Sequence, residues 1–215
     1  MPNRPFRKNK CLQGMLSVYA IFWLWMAIEP VDRFDWVLEN LLIFAAAMAL
    51  SLTYRIFAIS NLSYFLILLF LSLHTIGAHY TYTTTPVDAI LNDWFHFSRN
   101  NFDRVVHFSF GLLIAFPTLE FLMRAARMVG IWPHLMTVVS ILAAGAFYEL
   151  IEMWVAQMVA PEIGTLFLGT QGDPWDTQQD MALALYGSTL TVCVTAVVKR
   201  GRSRKRHGMA TESAN

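Results

Sequence analysis

Acidic and imidazole side chains recur in this chain at spacings that place them together on helix faces. Asp103 and His107 stand at i and i+4, Glu149 and Glu152 at i and i+3, and Asp173, Asp176 and Asp180 at i, i+3 and i+7. His79 closes an apolar run upstream of them. Imidazole and carboxylate together are a ligand set for a divalent metal, with His79, His107, Asp176 and Asp180 as the candidate ligands. A metal so held activates water or polarises a phosphoryl group. Glu149, Glu152 and Asp103 are then the candidate catalytic acids, any spare one serving as general base. The Glu-x-x-His spacing of carboxylate-bridged metal bundles is absent, so Asp-x-x-x-His and Glu-x-x-Glu are looser signals. The identity of the metal stays open.

Plainer readings compete with this one. Asp103 and His107 also fit a helix cap and an interfacial histidine, with Arg104 as partner. Asp173 alone is a cap, with Pro174 suited to the first helical position behind it. Glu120 and Arg124 form an ordinary i, i+4 pair. Glu149 and Glu152 are harder to dismiss, because two buried acids one turn apart call for a cation or metal between them. Whether His74 and Glu39 join the site is open.

The elements that must position these groups are apolar blocks. The 215 residues are 56% hydrophobic and only 14% charged, against about a quarter charged in a soluble domain. The blocks run approximately over 12–28, 37–54, 62–78, 103–123, 134–158 and 181–198, each near the ~20 residues a bilayer span takes. The first is not followed by a cleavage site and reads as a retained helix. Residues 1–11 form a basic tail and 199–215 a second one, disordered over Gly208–Asn215. The Tyr80–Asn101 connection is long and holds a short interfacial helix over Asp88–Phe97. Pro117 predicts a kink. Cys11 and Cys193 lack partners at metal-site spacing, and both fall on the basic side, where a disulfide is not expected. The fold class is all-α: a polytopic six-helix transmembrane bundle with both termini cytoplasmic.

Charge sets the orientation. Of the 16 lysines and arginines, all but Arg33, Arg99 and Arg104 fall on the side of the two basic tails, which makes that side cytoplasmic. Of the 15 acids, all but Glu120 and Glu212 fall in the opposite half. Asp103, His107, Glu149, Glu152, Asp176 and Asp180 therefore share one depth at the extracytoplasmic end, where intramembrane charges pair with one another and mark function. The basic C-terminal tail binds anionic lipid. Nucleic acid is a poor fit.

The run Arg-Asn-Asn-Phe-Asp-Arg-Val-Val-His-Phe-Ser-Phe-Gly from Arg99, with Pro117 and Glu120, resembles the YjdF-like bacterial inner-membrane family. Tyr148, Glu149, Glu152 and Trp154 complete the likeness, together with the stretch Gly169–Met181, and it covers almost the whole chain. It implies an inner-membrane location and names a family without assigning an activity. A more distant similarity is to VanZ-like membrane proteins, through Asp103, His107, Phe108, Glu149, Glu152, Asp176, Asp180 and Gly187. That family's Arg before the paired acids and Asn after them have no clear counterpart here. The implied setting is the cell envelope, with a link to glycopeptide-antibiotic response for some members.

Three functions follow. The favoured one is a metal-dependent membrane enzyme acting on a lipid or lipid-linked envelope substrate. The alternative is a non-enzymatic lipid- or antibiotic-binding envelope protein whose acids hold a cationic headgroup. A proton-coupled transporter ranks last, because no internal repeat and no second polar cluster complete a path.

Overall fold

The computed structural model describes residues 5–97, 99–168 and 170–212 of the chain. These residues are all-helical: α1 (Lys10–Met26), α2 (Arg33–Tyr54), α3 (Asn61–His79), α4 (Pro86–Phe95), α5 (Phe102–Arg124), α6 (Trp132–Met158), α7 (Pro161–Leu168) and α8 (Asp176–Glu212), with a 3-10 turn at Phe6–Lys8 before them. α2, α3, α5, α6 and the Asp176–Gly201 part of α8 are long and apolar enough to cross a membrane, five spans in all. α1 is a 17-residue helix, somewhat shorter than the ~20 residues of a typical span.

Local chemistry explains the boundaries. Asp32 caps α2 by accepting from Phe34 and Asp35 N–H, both at 2.8 Å. Ser60 caps α3, and its own N–H and hydroxyl bind Glu120, which Ser63 and Arg124 also contact. Glu120 is thus more than half of an i, i+4 pair, because it ties α5 to the start of α3. Thr85 caps α4, with Pro86 in the first turn. Asp88 does the same for α5 from a distance, accepting from Asn101 N–H at 2.6 Å and Phe102 N–H at 2.9 Å. Both cysteines are free and exposed.

Three features differ from the sequence expectation. α7 is an additional short helix between α6 and α8. α8 starts at Asp176, two residues after Pro174, so Pro174 precedes the helix. α8 also continues through the basic segment to Glu212, across residues expected to be disordered. Residues 213–215 of that tail, Arg4 of the N-terminal tail and Gly169 lie outside the described residues. Pro117 is buried within α5, which runs unbroken to Arg124.

The most extensive packing is between α5 and α8. They run parallel, since Gly111 meets Ala184 and Leu112 O accepts from Thr191 Oγ1 at 2.6 Å further along both helices. Glycine permits this approach. A Cβ on Gly111 would strike the Ala184 carbonyl oxygen, and one on Gly187 would strike the Phe108 carbonyl oxygen. Small residues let membrane helices gain close van der Waals contact in this way. α6 leans on the same pair, and Ala115, Ile141 and Ala184 form a buried cluster among the three helices. α3 packs on the other side of α5 and carries α1 and α2. Ile43, Leu68, Phe70, Leu71, Phe102 and Val106 form the core there.

Candidate metal and substrate site

The α5–α8 crossing brings the starts of both helices together. Asp103, His107 and Asp180 each offer a ligand atom, and these atoms lie within 4.8 Å of one another. Asp103 and His107 come from successive turns of α5, with His107 Nε2 3.5 Å from Asp103 Oδ1. α6 adds Glu149, whose Oε1 is 3.6 Å from the same His107 nitrogen. Glu149 and Asp180 are 7% and 2% exposed, and Glu149 Oε1 and Asp180 Oδ1 have no hydrogen-bond partner among the described residues. Carboxylate oxygens rarely stay buried without a donor or cation.

Asp176 takes a different role. Arg99 Nη1 contacts its Oδ1 at 2.6 Å, and Arg104 Nη2 lies 3.5 Å away. The same arginines reach Asp173 Oδ2 at 3.3 and 2.7 Å. Asp173 Oδ1 also accepts from Trp175 N–H at 2.9 Å. That backbone bond and the Arg104 guanidinium hold the Asp173 carboxyl below the usual carboxylate range. Asp173 therefore caps the turn into α8 and anchors it to α5. His79 sits apart from the cluster, its Nδ1 2.8 Å from Met26 O at the end of α1.

A cavity of about 370 Å³ adjoins the cluster, within the range of about 300–1,000 Å³ usual for small-molecule sites. Asp103, His107 and Glu152 line it, together with the apolar rings of Phe70, Phe110 and Phe147. The same cavity carries a second polar chain, which begins at Tyr148, edge-on to His107. Tyr148 donates to Glu39 Oε2 at 3.0 Å, and His74 Nε2 lies 3.0 Å from Glu39 O. Tyr82 contacts His74 Nδ1. Burial keeps the Tyr82 phenol well above its ordinary value, so it stays protonated and donates to Nδ1. That leaves the proton on Nε2, which donates to Glu39 O. Thr81 and Tyr82 both adopt left-handed backbone, φ 52° and 56°, which turns the tyrosine back onto α3. Strained turns of this kind collect at functional sites.

Sequence reasoning left Glu39 and His74 open and gave no part to Tyr82, Tyr148 or Arg99. One signal was present: Arg99 and Arg104 are two of the three basic residues on the acid-rich side. Tyr148 entered only through the family likeness, and Tyr82 carried no signal.

A family model described as "Predicted membrane protein (DUF2238)" matches residues 11–201. The chain is 35% identical over 190 residues to the inner membrane protein YjdF of Escherichia coli (strain K12), a match covering 87% of this chain and 90% of that protein. No solved structure matches.

Proposed function

Since the chain belongs to the DUF2238 family of predicted membrane proteins, we propose that it is a multi-pass protein of the bacterial inner membrane that binds a divalent metal at its extracytoplasmic end. The metal serves chemistry on a lipid or lipid-linked envelope substrate. The observation that carries this reading is the juxtaposition of Asp103, His107 and Asp180, with Asp180 Oδ1 buried and without a hydrogen-bond partner among the described residues. Bonds of about 2.1 Å let one ion reach donors up to ~4 Å apart, so small side-chain movements suffice. Asp103, His107 and Asp180 would hold the ion, and Glu149 stands beside them as the spare carboxylate. Bound there, a divalent ion supplies a Lewis acid for a phosphoryl or carbonyl oxygen and an activated water.

The cavity supports the substrate class. α2 and α6, linked by the Tyr148–Glu39 bond, both line it, and Phe167 and Leu168 of α7 line it too. Apolar rings suit a hydrocarbon chain, and Glu152, Asp103 and His107 suit the polar end that must reach the metal. Glu39, held by Tyr148, lines it as well.

The test is incubation of the purified, metal-supplemented protein with envelope lipid extract, reading headgroup or linked-group release by mass spectrometry. The reading expects turnover that Asp180→Asn abolishes. A cation-dependent lipid that is bound and never converted would assign the site to the non-enzymatic alternative.

A further inference from the structure

The opposite end of the bundle holds a second cavity with different chemistry. α1 and α2 both pack on α3 and meet each other near the acid end, where Trp23 donates to Asn40 Oδ1 at 2.6 Å and its ring stands against Trp36 and Phe44. The wedge between them is a cavity of about 600 Å³, and it shares no lining residue with the acid-end cavity. Leu12 and Leu16 of α1, Leu50 of α2, and Leu68 and Leu71 of α3 make its walls. At its basic end stands Arg55, which closes α2, is exposed, and forms no ion pair among the described residues. Phe6 lines the same end and stands edge-on to Tyr54 at 5.9 Å, and Arg7 and Lys8 follow it in the 3-10 turn. No acid lines this cavity among the described residues. Of the two acids on this side, Glu120 is already taken up by Ser60, Ser63 and Arg124, and Glu212 ends α8.

An apolar wedge that ends in uncompensated positive charge complements an acyl chain attached to an anionic head. We propose that this wedge is a seat for one anionic phospholipid of the leaflet on the basic side. One acyl chain lies between α1 and α2, and the phosphate sits at Arg55 with Arg7 and Lys8 alongside. A guanidinium meets phosphate oxygens with two parallel N–H donors, which a zwitterionic head matches less well because its own cation competes. The lipid also fills the space between α1 and α2 on the basic side of their Trp23 contact.

Native mass spectrometry tests this on the full chain, released from micelles doped with phosphatidylglycerol or phosphatidylcholine of identical chains. The expected result is one retained phosphatidylglycerol per chain, favoured over phosphatidylcholine by about fivefold or more. Arg55→Gln, at an exposed position, removes that preference. Ala47→Trp, which fills the wedge, loses both lipids. Equal retention of the two lipids by the wild type, or an unchanged preference in Arg55→Gln, overturns the proposal. So does a lipid-free dimer, which would give the wedge to a second copy of the chain.

Discussion

His107 Nε2 lies 3.6 Å from Glu149 Oε1, a contact between α5 and α6 at a depth where both side chains are largely buried. It makes α6 part of the cluster built by α5 and α8. Two residues in direct contact do not contribute independently to stability. The double variant His107→Ala/Glu149→Ala is expected to differ from the sum of the single variants by about 0.5–3 kcal/mol. Reversible detergent unfolding measures this, and simple additivity would show that the pair is not coupled.

The α5–α8 crossing predicts a contrast among glycines. Gly111→Ala and Gly187→Ala force a methyl group against a backbone carbonyl, so each is expected to cost about 1–3 kcal/mol. Gly145→Ala places its Cβ 3.7 Å from Ala184 Cβ, ordinary contact distance, and is expected to be tolerated. Thermal unfolding of the three variants in one detergent checks the ranking. Equal effects at all three positions would contradict the crossing.

Asp173 gives a pH dependence with a definite sign. Its folded carboxyl titrates below the ordinary value, through Trp175 N–H and then Arg104. The stabilisation is therefore fully present above the unfolded value of about 3.9 and is lost as pH falls through the lower folded value. The thermal stability of the wild type relative to Asp173→Asn is expected to stay flat down to about pH 4 and to fall only below it. Arg104→Gln moves that onset upward. An onset near neutral pH in the wild type would contradict the assignment.

Much of the fold was legible in the sequence because bilayer-length apolar blocks and segregated charge leave few arrangements. Asp103 and His107 were legible as a pair because i, i+4 spacing alone puts them on one face. Adding Asp180 to them requires the α5–α8 approach, which depends on Gly111 and Gly187 meeting backbone across the interface. Equal depth could not make that distinction: it grouped Asp176 with the cluster, yet Asp176 bonds Arg99, and the candidate ligand His79 bonds Met26 O. Depth says how far along the bundle a side chain sits, and it leaves open which way the helix turns it. The Tyr148–Glu39 bond joins residues 109 positions apart, and no local spacing encodes it. α7 was hidden for another reason, since eight residues give too little periodicity to stand apart from the loop around them.

Metal content of the purified protein tests the central claim most directly. The wild type, His107→Ala, Asp180→Ala and Asp176→Asn are each loaded with divalent cations, desalted and assayed by elemental mass spectrometry. The account predicts a stoichiometric ion in the wild type, its loss in His107→Ala and Asp180→Ala, and its retention in Asp176→Asn, because Asp176 is committed to Arg99. A well-folded wild type that emerges metal-free, or an Asp180→Ala variant that keeps the full complement, would contradict it.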